Sequence, residues 1–191
     1  MNKYEKTSLN LPIIVFILFF GLFFISMKPV NGPELDSYAN PTSKGNLSLS
    51  LSISPKVLTP NESFNLTIRL RNIGNTDVRV IPPMRWTSLH IEIYFENGTQ
   101  IKYTGARPSL LPPTDENLKI LHPGEEIVNN YYFSWNTKPV QGEVKDWYFP
   151  WEGRYKVVVV YTPNIEYSKR TLPYWKERVL KDEDWFEINN Q

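Results

Sequence analysis

His90 and Glu92 stand two residues apart, the spacing that puts both side chains on one face of a strand. Such a pair could hold a metal ion or move a proton. On a sheet face open to water it is an ordinary polar row, and that reading is preferred. His122 is the second and last histidine, and the chain has no cysteine. A zinc site of the usual His/Cys kind is therefore excluded within one chain. Lys181-Asp182-Glu183-Asp184 gathers carboxylates that could bind Ca²⁺, but without the regular oxygen spacing of a calcium loop. It reads as a polar turn ahead of the last strand. Asp115-Glu116 and Glu125-Glu126 read as turn residues too. No Gly-x-Ser-x-Gly, phosphate loop, dinucleotide fingerprint or His-Glu-x-x-His occurs. Scattered carboxylates alone give no support to a glycosidase pair. The expectation is a non-enzymatic protein with no catalytic residues, no metal site and no cofactor.

One segment rises above this background. Trp147, Tyr148, Phe149 and Trp151 fall within five residues, around Pro150. Exposed aromatics at this density mark contact with a protein or carbohydrate partner. The competing reading, which is preferred, is that they plug one end of a core. Trp147, Tyr148 and Phe149 are the candidate partner contacts, and Trp151, directly before a strand, is expected to be buried beside Tyr155.

The elements that position these residues lie outside the cytoplasm if the N-terminus is what it resembles physically. The run from Leu11 to Met27, LPIIVFILFFGLFFISM, is 17 residues without a charge, at the short end of the roughly 17–25 that span a bilayer. Pro12 suits the first helical turn, and Ser8 or Asn10 can cap it. Lys3 and Lys6 precede the run, and Glu34 and Asp36 follow it beyond Lys28. The positive flank stays in the cytoplasm and sends the remainder across. A cleaved signal peptide is the alternative, but Ser26-Met27-Lys28-Pro29 is a poor cleavage site. An uncleaved anchor is preferred. A buried core helix would need an unusually large soluble core around it. The expected location is a cell membrane, crossed once, with the C-terminal domain outside.

The net charge of +1, from 21 basic and 20 acidic residues, argues against nucleic-acid binding, which calls for a basic stripe. Without cysteine there is no disulfide framework, so burial alone must hold the domain. Four Asn-x-Ser/Thr triplets occur, at Asn46, Asn61, Asn65 and Asn97, all beyond the membrane run, in turns or at an outward strand position. They are candidate glycosylation sites.

Residues 31–45 are polar and rich in turn formers, a linker between the segment 1–30 and a domain over 46–191. Leu47, Leu49, Leu51 and Ile53 alternate with serines; Phe64, Leu66, Ile68 and Leu70 alternate with Asn65, Thr67, Arg69 and Arg71. Both are strands with one buried face. Val78 and Val80 begin a short strand that stops at Pro82-Pro83. Leu89 to Phe95 is another, returned by the Asn97-Gly98 hairpin signal. Ile127 to Trp135 and Tyr155 to Tyr161 follow, and Trp185 to Ile188 closes the series. Roughly seven or eight short strands with turns between them predict an all-β antiparallel sandwich.

Three segments carry a family resemblance: residues 58–75 with Leu70-Arg71-Asn72-Ile73-Gly74, Leu121-His122-Pro123-Gly124-Glu125, and Gly153-Arg154-Tyr155-Lys156-Val157. Together they resemble the immunoglobulin-like domains of bacterial and archaeal surface proteins. The stretch from Glu96 to Glu125 is also similar to the N-terminal β-domain of deuterolysin-like metalloproteases, without the protease part. The resemblance implies an immunoglobulin-like sandwich and leaves the function open, because that fold hosts binders, spacers and enzyme accessories. The expected function is a membrane-anchored, non-enzymatic interaction or structural module of the cell envelope. An inhibitor-like or enzyme-accessory domain acting through an exposed loop is the alternative.

Overall fold

Period-2 alternation sets several of the longer strands, which bury the face that their apolar residues choose. A computed structural model describes residues 44–59, 62–163 and 171–189. Everything described belongs to one compact unit, Ala39–Gln191. The expected membrane segment between Leu11 and Met27, and Asn61, lie outside the described residues. Among the described residues no helix is long and apolar enough to cross a membrane.

The strands, in chain order, are β1 (Leu47–Ser54), β2 (Val57–Leu58), β3 (Ser63–Asn72), β4 (Val78–Val80), β5 (Leu89–Phe95), β6 (Gln100–Ile101), β7 (Lys119–Leu121), β8 (Glu126–Asn136), β9 (Trp147–Tyr148), β10 (Gly153–Tyr161) and β11 (Leu180–Ile188). A 3-10 turn, Asp115–Asn117, interrupts them. One sheet has the order β1-β3-β8-β9 and the other β2-β11-β10-β5-β6; β4 and β7 pair separately. Pairing is antiparallel except where β9 joins β8 and β2 joins β11. The expected all-β sandwich is present.

Between the sheets, Phe64, Leu66, Ile68 and Leu70 of β3 share one core with Tyr155, Val157 and Val159 of β10 and Phe186 and Ile188 of β11. Aromatic rings fill its centre. Phe149 lies 4.8 Å from Tyr155 and 5.3 Å from Phe186, and Phe64 lies 5.4 Å from both Phe133 and Phe186. Ring pairs at these separations add about 0.5–1.5 kcal/mol each beyond their buried area. The Tyr155 hydroxyl donates to the carbonyl of Trp151 at 2.6 Å, tying the start of β10 to the chain four residues upstream. Burial pushes its pKa up to about 12.

Several assignments differ from the expectations. β2, β7 and β9 are short pairings that depend on distant partners, so no local alternation announces them. Lys181-Asp182-Glu183-Asp184 is part of β11 and not a turn. The reason is tertiary. Asp182 accepts a hydrogen bond from the Leu51 N–H at 2.7 Å, and Asp184 accepts one from the Ile53 N–H at 3.0 Å. These carboxylates close the outer edge of β1, and Asp184 also pairs with Lys56.

Candidate functional site

The aromatic loop follows the preferred of its two readings at Trp147 and Phe149 and departs from expectation at Trp151. The Asp146 N–H donates to the Ser134 carbonyl at 3.0 Å and the Phe149 N–H to the Asn136 carbonyl at 2.9 Å. The loop is thereby laid alongside the end of β8, with Trp147 opposite Trp135. This orientation turns Trp147 and Phe149 into the core, where they are 2% and 0% exposed. Tyr148 is half-buried, with its hydroxyl directed at the Glu143 carbonyl. Trp151, expected inside, is 44% exposed and packs its ring 5.1 Å from Phe95. Trp147 and Phe149 therefore cannot form the partner-contact surface; the loop is a core plug, and its outward tryptophan is Trp151.

The residues that assemble into a site come from three other segments. Between β4 and β5, Pro82-Pro83 ends one strand and a tight turn begins. Buried Ser88 holds it, accepting from the Met84 N–H at 2.8 Å and donating to the Pro82 carbonyl at 2.6 Å. Inside this turn Trp86 has φ +71°, a left-handed conformation that is an outlier for a bulky residue. Such a geometry costs on the order of 1–3 kcal/mol and persists where surrounding contacts impose it. It is imposed here by the Trp86 N–H donating to the Leu89 carbonyl and the Leu89 N–H to the Met84 carbonyl.

The strained turn places Arg85 in an aromatic cage. Its guanidinium carbon sits 4.4 Å from the ring centres of Trp86, Tyr103 and Phe133 alike. Arg107, from the loop after β6, lies 5.3 Å from the Trp86 ring. Cation–π contacts of this kind contribute about 0.5–2 kcal/mol, more when desolvated. The Arg85 Nε and Nη2 are buried without a hydrogen-bond partner, so ring faces stand in for the carboxylate that would ordinarily balance the charge. Burial accordingly pushes its pKa down, and Tyr103 and Asp146 partly offset this.

Asp146 fastens the site from behind. Its Oδ1 accepts from the Tyr103 hydroxyl at 2.8 Å; its Oδ2 accepts from the Ser134 N–H at 2.8 Å and hydroxyl at 2.9 Å. Burial and this hydrogen bond raise the Tyr103 pKa. Gly105 is required by the close approach, because an added Cβ would collide with the Tyr103 hydroxyl and approach Asp146 Oδ1 within 2.6 Å.

Two clefts flank Trp86. One, of about 560 Å³, lies between the turn and residues 128–131 of β8. The other, of about 340 Å³, includes His90, Glu92, Lys102 and Arg107. His90 and Glu92 do share a sheet face, but Glu92 accepts a hydrogen bond from the Tyr94 hydroxyl at 2.8 Å. His122 is at the far turn, paired with Asp77 at 2.8 Å. Among the described residues no three of His, Cys, Asp or Glu form a metal-binding group. Of the Asn-x-Ser/Thr triplets, Asn46 and Asn97 are exposed, whereas Asn65 is half-buried on β3 and donates to Thr67 Oγ1 at 3.3 Å.

No family model matches the chain, and no curated protein sequence does. Solved structures do match. The CARDB domain of a Pyrococcus furiosus protein, solved with di-metal ions, is 18% identical, covering 78% of this chain and 98% of that one, with a TM-score of 0.38. The sporulation control protein Spo0M of Bacillus subtilis is 12% identical over 78% of this chain and 51% of its own, with a TM-score of 0.40. Native alpha-2-macroglobulin from Escherichia coli is 9% identical over 78% of this chain and 17% of its own, with a TM-score of 0.41. The all-β sandwich rests on the sheets themselves. The deuterolysin half of the resemblance receives nothing from these neighbours.

The Arg85–Trp86 turn is absent from the sequence expectations. The available signal was Pro82-Pro83-Met84-Arg85-Trp86, an arginine and a tryptophan breaking the alternation directly after a proline pair. It said that the strand ends, and nothing about where the next side chains point.

Proposed function

We propose that this protein is a non-enzymatic interaction module of the cell envelope, tethered to a membrane by the run from Leu11 to Met27 and displaying its sandwich on the outer side. The observation that carries this reading is how the chain spends its charged and aromatic groups. Asp146, Asp182 and Asp184 accept backbone N–H bonds, which makes them fasteners of the fold. Arg85 and Trp86 are instead held in a strained turn beside an open cleft, the kind of placement that concentrates at recognition sites. Asn46 and Asn97 offer exposed acceptors for glycans if the export route attaches them.

Membrane fractionation with external protease tests the location. The chain should sediment with membranes, retain its N-terminus on sequencing, and lose its sandwich to protease added outside. A chain recovered in the soluble cytoplasmic fraction would overturn the reading.

The second reading is an inhibitor-like or enzyme-accessory domain. It is favoured by the proline-rich loop between β6 and β7, whose Leu110 and Leu111 stand exposed. An inhibition assay against a panel of proteases distinguishes it: replacing Leu111 would abolish inhibition without lowering stability.

A further inference from the structure

An unpaired sheet edge is a template for another strand. In β8, alternate residues direct their backbone groups to opposite neighbours. Ser134 settles the direction. Its N–H reaches Asp146 Oδ2 at 2.8 Å and its carbonyl accepts from the Asp146 N–H at 3.0 Å, both on the side away from β3. Counting back by twos, Val128, Asn130 and Tyr132 turn their N–H and C=O groups to that same side. β9 pairs only with Trp135 and Asn136. Among the described residues nothing bonds those three N–H groups along this edge.

That edge is one wall of the 560 Å³ cleft; Arg85, Trp86 and Pro108 belong to the other side. The wall supplies main-chain donors and acceptors, and the opposite side supplies an aromatic ring and a cation. No carboxylate lines the cleft; Asp146, on the Tyr103 hydroxyl behind the cage, offsets the Arg85 charge only in part. We propose that the free edge of β8 accepts an extended acidic peptide segment, added as a strand beside residues 128–132, with an Asp or Glu side chain directed at Arg85. A second copy of this chain is a worse occupant. Two-fold pairing of β8 with β8 would bring two Arg85 clefts together, and like charges oppose it. The proposal rests on the interaction-module reading and names the partner class for its site.

The test uses the full chain in detergent micelles and three end-capped eight-residue peptides, followed by calorimetric titration. The first alternates Val or Thr with Asp. The second replaces each Asp with Lys. The third keeps the Asp residues but carries N-methyl groups on alternate backbone amides, which blocks strand addition. The acidic peptide should bind, and the other two should bind about tenfold more weakly or worse, a factor worth about 1.4 kcal/mol. Amide exchange at Val128, Asn130 and Tyr132 should slow in the complex. Asn130→Pro removes one edge donor and keeps the backbone ladder to β3, losing only the exposed bond that the Thr67 hydroxyl donates to Asn130 Oδ1. It should weaken binding by a similar factor at a melting temperature that is little changed. Equal binding of the N-methylated peptide would overturn strand addition, and equal binding of the Lys peptide would overturn the acidic partner. No binding at about 1 mM, or a chain that only self-associates through β8, would overturn the proposal. Fractionation is independent: a soluble chain that binds the peptide sinks the membrane reading alone.

Discussion

On the β1 edge of the four-stranded sheet, the N–H groups of Leu51 and Ile53 end on the carboxylates of Asp182 and Asp184. On the β8 edge of the same sheet, those of Val128, Asn130 and Tyr132 end on no partner among the described residues. Geometry accounts for the first. β11 crosses beside β1, close enough for short side chains to reach over, and charge-assisted bonds then occupy the edge. At β8 the neighbouring segment covers only the last turn of the strand, through Asp146 and β9, and leaves the middle beside a cleft. Tyr132, 73% exposed, stands along this open stretch. Natural sheets cover edges against unwanted pairing, and in this one sheet the cover depends on whether a neighbouring strand brings carboxylates within reach.

The largest effect should come from beneath the β8 edge. Trp147→Ala removes a buried indole from under the end of that strand and should cost about 3–5 kcal/mol. A urea melt measures it. A near-normal midpoint would return Trp147 to the surface and undo the core-plug assignment.

Opening the closed edge comes next. Asp182→Ala and Asp184→Ala each leave a β1 N–H without its charged acceptor, for about 1–3 kcal/mol apiece. Together they should also make the chain associate with rising concentration, read by sedimentation velocity. A stable, monomeric double variant would mean that the carboxylates do not protect β1.

The matched change on the open edge should do little. Asn130→Pro removes an N–H that meets no partner among the described residues, together with the exposed acceptor of the Thr67 hydroxyl, and proline is tolerated where a strand's N–H faces outward. Its stability cost should stay within about 1 kcal/mol. A loss as large as that of the aspartate variants would show that the β8 edge is occupied within the folded chain.

The smallest effect lies away from both edges. The hydrogen bond that the His122 ring donates to the Asp77 carboxylate, and then that carboxylate's charge, raise the His122 pKa above the usual value of 6.5. The folded value exceeds the unfolded one, so the pair's contribution is complete below about 6.5 and fades as pH rises through the folded value. Both groups face water, so the melting temperature should fall only slightly from pH of about 6 to about 8. His122→Ala should remove that slope. An unchanged slope would assign it to another group.

Strand content was legible in the chain because it is local. Leu47 to Ile53 and Phe64 to Leu70 alternate strictly, and a pleated backbone turns that alternation directly into one buried and one outward face. Asn97-Gly98 likewise announced the β5–β6 hairpin, where Gly98 has φ +87°. The site was not legible, for a reason that the tryptophans make plain. Trp147 and Trp151 sit in the same aromatic run; Trp147 lies where the preferred core-plug reading puts it, whereas Trp151, expected inside, faces out. Which one enters the core follows from two hydrogen bonds to Ser134 and Asn136, and their pairing is invisible in a run without period.

Amino-acid order by itself determined that this chain carries a charge-free apolar segment ahead of a β-rich domain, and that the domain holds without disulfides. Those properties depend on composition and on neighbours one or two residues away. Tertiary structure alone decided that Asp182 and Asp184 face inward to β1, that Arg85 rests among three rings, and that the middle of β8 meets no neighbouring strand among the described residues on its side away from β3. Each depends on groups brought together from distant parts of the chain, and the energy that selects them arises only once both sheets have packed.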